Sequence, residues 1–242
     1  MNTIKVKSGT AKMVAHRGVS GLERENTCPA FVAAGNRSYW GIETDIHKTA
    51  DGRFVVIHDE STKRVSLEAV DIHVEQNPYA ALKDVVLPDL DGSRNRQDIR
   101  IPLLEDYVKI CKKYDKYCVL ELKNAFAQED IKAVVEEICT LDYLDKVVFI
   151  SFILENCLIL RKLLPNQPIQ WLTGNPVEEK EIALLKEEAI DLDIYYVHVT
   201  KELVDTLHAQ GTKINCWTCD DKEKAEELMQ MGVDFITSNI LE

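Results

Sequence analysis

Short apolar runs rich in β-forming residues alternate with amphipathic helical patterns along the 242-residue chain, and this alternation constrains the fold most strongly. It is the pattern of a parallel sheet covered by helices. We predict strands near residues 13–15, 41–46, 54–58, 118–122, 147–151, 168–172, 194–199, 213–217 and 234–237. Helices are predicted at 29–38, 103–114, 128–141, 154–163, 177–188, 201–210 and 222–231. An α/β barrel typically takes about 250 residues, so we expect one domain over residues 1–242.

The predicted strands number one more than an eight-stranded barrel needs. The second and third are joined only by the turn Thr49-Ala50-Asp51-Gly52. Asp-Gly is a hairpin signal, and so short a turn leaves no room for the crossover that parallel strands require. We therefore predict a (β/α)8 TIM barrel that is irregular around strands 2–3, with either a missing helix or an antiparallel excursion.

The helical and strand periodicity fades between residues 61 and 101. A segment of this length between a strand and the next helix of a compact domain is usually functional. We predict that residues 61–101 form a small insertion over the C-terminal face of the barrel, as a lid or as a small subdomain.

The net charge of -12 argues against nucleic acid and anionic membranes as partners, because both require clustered Lys and Arg. A small anionic substrate remains compatible with it, since a metal ion and a few local cations can reverse the potential inside a pocket. No apolar run resembles a signal peptide or a membrane span, so we expect a cytoplasmic protein without a stable membrane anchor. A homodimer is compatible with the sequence, although no helix face identifies one.

Polar residues that are rare inside a barrel gather at the predicted C-terminal ends of the first four strands. They are His16, Arg17, Glu43, Asp45, His58, Asp59, Glu121 and Lys123. A barrel enzyme builds its active site at that end of the strands, so residues distant in sequence can converge there. Buried charges need a partner, a metal or a ligand, and we therefore expect these side chains to form one site.

Three of these residues are candidate metal ligands. Glu43 and Asp45 are two positions apart, so their side chains share one face of a strand, and Glu121 can supply a third carboxylate. Such oxygens suit one divalent cation, Mg²⁺ or Ca²⁺, whereas Zn²⁺ usually has softer ligands. The alternative is an inert network in which the acids pair with Arg17, Lys123 or another base.

His16 and His58 are candidates for a general acid and base pair, because an imidazole pKa near 6.5 allows either role near neutrality. Arg17 and Lys123 could hold phosphate oxygens, the first through its planar fork and the second as a point charge. Asp59 either orients a histidine or caps a turn.

Two other groups of residues are assigned to ordinary structure. Cys216 and Cys219 have the C-x-x-C spacing, but no second cysteine pair accompanies them, so we expect core packing. The remaining histidines lack similar company and are assigned to the surface or an interface: His47, His73, His198 and His208.

The ordered set of motifs resembles the glycerophosphodiester phosphodiesterase family. The matching segments are His16-Arg17-Gly18, Glu25-Asn26-Thr27, Gly41-Ile42-Glu43-Thr44-Asp45, Thr49-Ala50-Asp51-Gly52 leading to Val55-Val56-Ile57-His58-Asp59, Ile101-Pro102-Leu103-Leu104-Glu105 and Glu121-Leu122-Lys123. Weaker similarity continues at Ser151-Phe152, Trp217-Thr218 and Gly232-Val233-Asp234. Each tripeptide alone is weak, but the order and spacing of the set are specific.

This resemblance implies a barrel enzyme that hydrolyses a small glycerophosphodiester to sn-glycerol 3-phosphate and an alcohol. It implies the same roles for the strand-end residues as the chemistry above: Glu43, Asp45 and Glu121 as metal ligands, His16 and His58 as acid and base, Arg17 and Lys123 on the phosphate. It further implies that Trp217 lines the glycerol side of the pocket. Attack by the neighbouring glycerol hydroxyl and attack by water both remain open.

The chain departs from the family pattern near its C-terminus. The family tends to follow Trp-Thr with an apolar residue and Asn, where this chain has Cys219-Asp220. Its usual Thr-Asp appears here as Thr237-Ser238. Two alternatives to the implied function follow: a phospholipase D-like enzyme acting on lysophospholipids, which an exposed apolar rim on residues 61–101 would favour, and a phosphodiester-binding protein without catalysis.

Overall fold

The computed structural model describes residues 2–7 and 9–242. The strands are β1 (Lys12–Ala15), β2 (Gly41–Lys48), β3 (Phe54–Val56), β4 (Tyr117–Leu122), β5 (Val147–Ser151), β6 (Ile169–Thr173), β7 (Asp191–Tyr195), β8 (Ile214–Trp217) and β9 (Phe235–Ser238). The helices are α1 (Cys28–Gly35), α2 (Tyr79–Leu82), α3 (Leu104–Lys113), α4 (Gln128–Thr140), α5 (Leu154–Leu163), α6 (Glu179–Glu187), α7 (Lys201–Ala209) and α8 (Lys222–Met231).

Eight parallel strands close into a barrel. The order runs β1-β9-β8-β7-β6-β5-β4-β2, and the pairing of β1 with β2 completes the ring. β3 lies outside the ring, antiparallel to β2, with Ile46 opposite Val56. The predicted TIM barrel is therefore confirmed, and the irregularity around the second and third strands is an antiparallel excursion.

Alternate strand residues divide between two cores, because successive side chains of a strand point to opposite faces. Outward residues such as Ile42 and Leu120 pack beneath the helices in the largest hydrophobic cluster. Inward residues form a smaller cluster inside the barrel, which consists of Val14, Val119, Val148, Ile150, Leu172 and Phe235. The alternation also places residues of the candidate site inside the barrel. Val119 and Glu121 point inward from β4, and Lys123, one residue past the end of β4, follows the same alternation.

The seventh strand begins and ends earlier than predicted. It spans Asp191–Tyr195 rather than residues 194–199, and residues 196–198 form a short 3-10 turn. Two aspartates lowered the apparent strand propensity, but each accepts a hydrogen bond from the neighbouring strand β8 or its start. The Asp191 carboxylate accepts the backbone N–H of Lys213 at 2.8 Å, and Asp193 accepts the Asn215 amide at 3.1 Å inside the barrel.

Residues 61–101 fold around a small core of their own, which includes Val65, Leu87 and Ile99 together with Val55 of β3. The short helix α2 within this segment was not predicted. The segment is fastened to the loop after β1, for example by the ion pair between Arg96 and Glu23 at 2.7 Å. Its role as a lid stays a prediction.

The described cysteines carry free thiols, and Cys216 and Cys219 are buried as expected. Within residues 2–7 and 9–242, no helix is both long and apolar enough to cross a membrane.

Candidate active site

A cavity of about 290 Å³ opens at the C-terminal ends of the barrel strands. Its walls are formed by His16, Arg17, Glu43, His58, Glu121, Lys123, Ile150, Phe152, Leu172, Asp193, Trp217, Thr218 and Thr237. The structure thus brings together the predicted site residues, with Asp45 buried beside Arg17 and Lys123 at the edge of this wall. Among the described residues, none of those lining the cavity belongs to the 61–101 segment.

Glu43, Asp45 and Glu121 form a buried acidic cluster. Each offers an oxygen within 4.8 Å of the others, because Asp45 and Glu121 stand side by side on the neighbouring strands β2 and β4. Burial, reinforced by the charge of Asp45, raises the pKa of Glu43 well above its usual range and that of Glu121 to about 8. The cluster therefore holds more negative charge than the protein alone stabilises.

Two cations face this cluster without neutralising it. Arg17 Nε lies 3.3 Å from Asp45 Oδ2, and Lys123 Nζ lies 2.8 Å from Glu121 Oε1. These contacts resemble the inert network considered as an alternative. However, Asp45 Oδ1 and Glu121 Oε1 both lie against the single ammonium group of Lys123, at 3.4 and 2.8 Å. Three buried carboxylates that face two cations keep an excess of negative charge, which fits a hard divalent cation.

The turn after β1 places Arg17 for these contacts. Its backbone N–H donates to Glu43 Oε2 at 2.7 Å. Arg17 and Gly18 both adopt left-handed backbone conformations, with φ of 53° and 76°. A Cβ on Gly18 would lie 2.7 Å from Ala30, so only glycine fits the tight turn that this arginine needs.

His16 is held in one tautomer. Its Nδ1 lies 2.7 Å from the side-chain oxygen of Asn239, which can only accept, so Nδ1 carries the proton. The free Nε2 lies 3.9 Å from Glu43 Oε2. Burial, followed by the charge of Arg17, lowers the pKa of His16 to about 4. This imidazole is therefore neutral at pH 7 and has its lone pair on Nε2.

Asn239, which the sequence did not single out, is held by three partners: His16, Ser20 and Asp220. Ser20 Oγ donates to its oxygen at 2.6 Å, and its amide nitrogen donates to Asp220 at 2.6 Å. Asp220 also accepts from Ser238 Oγ at 2.7 Å. The two departures from the family pattern, Asp220 and Ser238, thus contact each other and support the partner of His16. The signal available in sequence was their position at the ends of β8 and β9.

His58 is oriented by a carboxylate. Its Nδ1 lies 2.7 Å from Asp59 Oδ1, and Arg64 donates to both oxygens of Asp59 at 2.7 and 2.9 Å. Arg64 also donates to Glu25, which binds Arg17 at 2.9 Å. Hydrogen bonds from Arg64 lower the pKa of Asp59 to about 2. Of the two roles considered for Asp59, the geometry agrees with orienting a histidine. Arg64, a residue of the 61–101 segment, thus contacts both Asp59, the partner of His58, and Glu25, the partner of Arg17.

The assignment of His47 to the surface or an interface is wrong. It is buried, because β2 continues to Lys48 and β3 covers it. Its Nε2 lies 3.1 Å from the backbone oxygen of His58 and its Nδ1 lies 3.3 Å from the Asn124 amide. His47 therefore supports the backbone that carries His58.

The opposite side of the cavity is largely apolar. Ile150 and Leu172 form its base, and Phe152 and Trp217 meet edge to face at 5.5 Å between ring centroids. Phe152 is 41% exposed, so this pair stands at the mouth of the cavity. The carboxyl of Asp193 lies within this largely apolar wall, and the residue is 1% exposed.

The chain is similar over most of its length to glycerophosphodiester phosphodiesterases. The model of the "Glycerophosphoryl diester phosphodiesterase family" matches residues 16–241. A glycerophosphodiester phosphodiesterase of Bacillus altitudinis is 29% identical over 240 residues, 93% of each chain. A solved Parabacteroides distasonis glycerophosphodiester phosphodiesterase is 26% identical with a TM-score of 0.79, covering 96% of this chain and 94% of that one.

A second solved structure has the same fold. It is an Oleispira antarctica phosphodiesterase in complex with the product sn-glycerol-3-phosphate, with a TM-score of 0.86, 24% identity, and coverage of 95% of this chain and 93% of that one. The family match spans nearly the whole barrel and includes every residue of the site described above. The chain therefore belongs to the glycerophosphoryl diester phosphodiesterase family.

Proposed function

We propose that this protein hydrolyses glycerophosphodiesters to sn-glycerol 3-phosphate and an alcohol, using one divalent cation and two histidines. The observation that carries the proposal is the meeting, in one cavity, of three buried carboxylates and two imidazoles whose Nδ1 atoms are already engaged. The family membership supports the reaction, as does the product bound to the Oleispira antarctica relative.

Glu43, Asp45 and Glu121 would hold the cation. Their hard oxygens, whose negative charges outnumber the two cations that face them, suit Mg²⁺ or Ca²⁺. When bound, the cation supplies Lewis acidity to a phosphoryl oxygen and stabilises the charge that develops there. Arg17 and Lys123, which face the same cluster, would bind the remaining phosphate oxygens.

The two histidines differ in their partners, and this difference supports different roles for them. His16 is bonded to a neutral amide and kept neutral, so its Nε2 would accept the proton of the attacking hydroxyl. Burial lowers the pKa of His58, and its contact with the Asp59 carboxylate opposes this by stabilising the imidazolium, so we assign to its Nε2 the donation of a proton to the leaving alcohol. The attacking hydroxyl is either that of the glycerol itself, giving a cyclic phosphate, or that of water. Isolation of a cyclic phosphate product would select the first route.

The test is release of glycerol 3-phosphate from a panel of glycerophosphodiesters in the presence of Mg²⁺, Ca²⁺ or EDTA. We expect metal-dependent release that Glu43→Gln and His16→Ala abolish. Asp191→Asn, which alters a strand carboxyl at the opposite end of the barrel from the site, is the matched control and should retain activity. Absence of release by the wild-type protein from every diester would refute the proposal.

A lysophospholipid is the second candidate substrate. Leu67 and Leu90 of the 61–101 segment are 54% and 51% exposed, and Phe152 stands at the cavity mouth. Leu90 lies in a surface groove with Asp220 and Asn239, so an acyl chain that leaves the active site on that side would contact it, whereas a glycerophosphodiester has no acyl chain. Faster turnover of lysophosphatidylcholine than of glycerophosphocholine, reduced by Leu67→Ser and Leu90→Ser, would favour this candidate.

A further inference from the structure

The Asp193 carboxyl is an unused polar group in the wall of the cavity. Its Oδ2 accepts the Asn215 amide at 3.1 Å, but its Oδ1 accepts no hydrogen bond from the residues that the structure describes. No basic side chain in the described ranges lies within ion-pair distance of it. The residue lines the cavity but is only 1% exposed, and Oδ1 itself is buried, so a rotation of the carboxyl must present this oxygen to a ligand.

A structural role accounts for only one of the two oxygens of this carboxyl, Oδ2. Inside the barrel, Asn215 joins Asp193 to Gln170 at 3.3 Å and accepts from Thr237 at 3.3 Å. That network occupies Oδ2 and would be equally satisfied by an asparagine or glutamine side chain. A buried carboxyl oxygen without a partner is costly, and native proteins usually keep one only where a ligand, an ion or water completes it.

The position of Asp193 distinguishes it from the acids that suit a metal. It belongs to β7, across the barrel from the cluster on β2 and β4, and it is not part of the group whose oxygens lie within 4.8 Å of one another. Its neighbours in the wall are Leu172 on β6 and Trp217, whose Nε1 lies 3.4 Å from the Asp193 backbone oxygen. Asp193 is thus a polar contact set within an apolar surface.

We propose that Asp193 is a specificity-determining residue, whose Oδ1 binds the terminal hydroxyl of the glycerol moiety. The inference rests on the proposed function. With the phosphate held by Arg17 and Lys123, the hydroxyl next to the phosphate lies on their side of the cavity. The terminal hydroxyl is one carbon farther from the phosphate and would meet the wall formed by β6 to β8, where Leu172 and Trp217 would cover the carbon chain.

The chemistry of this carboxyl suits a hydroxyl. Burial, reinforced by the charge of Glu121, raises the pKa of Asp193 well above its usual range. A protonated carboxyl both donates and accepts, as a hydroxyl does. A ligand lacking that hydroxyl leaves a buried polar group unpaired, which is how a site built for hydrogen bonding rejects a close analogue.

The test compares two diesters of phosphocholine, one with glycerol and one with propane-1,2-diol. The second lacks only the terminal hydroxyl and keeps the one beside the phosphate, so both attack routes stay available. We expect the wild-type kcat/KM to favour the glycerol diester by about 10- to 100-fold, the range for loss of one buried hydrogen bond. Asp193→Leu and Asp193→Ala should bring this ratio close to one, and Asp193→Asn should retain part of it.

Controls separate this inference from the proposed function. Asp191→Asn, on the same strand, should leave the ratio unchanged. Competitive inhibition by glycerol 3-phosphate and by propane-1,2-diol 1-phosphate gives a second readout that does not need turnover, and the preference for the former should vanish in Asp193→Leu. Equal losses on both diesters, with the ratio preserved, would overturn the role of Asp193 while leaving the hydrolase intact. A wild-type protein inactive on both diesters would refute the proposed function and the inference together.

Discussion

The two sides of the cavity are built differently. On the side formed by the ends of β1, β2 and β4 and the loop after β3, each charged group has partners that fix it, as Asp59 and Arg64 do for His58. On the side formed by β5 to β8, apolar rings meet each other, and the Asp193 carboxyl has no basic side chain within ion-pair distance among the described residues. The difference supports the proposal that the first side performs the chemistry, which needs fixed geometry, and that the second recognises the substrate.

The largest expected effect lies on the charged side. Glu43→Gln keeps the shape of the side chain but removes one of three metal-binding charges, so we expect kcat to fall by about 10³-fold, at the upper end for loss of a preorganised electrostatic contact. Calorimetric titration with Mg²⁺ or Ca²⁺ should show weaker binding in parallel. If Glu43→Gln retained activity and metal affinity, the charged side would not be the catalytic side.

Loss of either imidazole should cost about 10²- to 10⁴-fold in kcat, the usual contribution of general acid-base catalysis. A diester with a p-nitrophenol leaving group needs no acid, because this phenol departs as an anion. It should therefore restore the rate of His58→Ala and not that of His16→Ala. Equal rescue of both variants in a stopped-flow or steady-state assay would contradict the assigned roles.

Arg64 tests whether the 61–101 segment contributes to the charged side. Arg64→Met removes the hydrogen bonds to Asp59 and Glu25, so we expect kcat to fall by about 10-fold with KM little changed, as for other outer-shell partners. The pH profile of kcat should shift as well, because the pKa of Asp59 rises without Arg64. Arg100→Met is the control, since Arg100 of the same segment pairs only with the exposed Asp84 and nearby backbone.

On the apolar side, Trp217→Leu should raise KM about 5-fold and leave kcat within about 2-fold. The ring contributes contact with Phe152 and surface for the substrate, worth about 1 kcal/mol. Steady-state kinetics on glycerophosphocholine measures both constants. A collapse of kcat with unchanged KM would show that this side takes part in the chemistry after all.

The last effect is absent at neutral pH and concerns stability. The pKa of His16 is about 4 in the folded protein against 6.5 for a free imidazole, so the unfolded chain binds the proton more readily. The free energy of unfolding should therefore decrease as the pH falls from about 6.5 towards 4. Denaturant titrations of the metal-free protein should show a shallower decrease for His16→Gln, whereas Trp217→Leu should keep the wild-type slope.

The charged side was largely predictable, and the reason is strand geometry. Glu43, Asp45 and Glu121 could be placed together because alternation and parallel pairing fix which residues share the inner face. Asn239 and Arg64 could not be placed, since their contacts depend on the paths of loops. Asp193 was missed because its strand was predicted three residues too late, which hid the fact that this aspartate points into the barrel.

The contact between Asp220 and Ser238 has an evolutionary consequence. The family pattern has an amide at position 220 and a carboxylate at position 238, where this chain has Asp220 and Ser238. The negative charge therefore lies in the loop after β8 instead of at the end of β9. Ser238→Asp alone would set two carboxylates against each other at a separation now 2.7 Å, while Asp220→Asn would weaken the hold on Asn239. The residues at the two positions are therefore expected to covary. A motif that is scored one position at a time would interpret such a compensated exchange as loss of the motif.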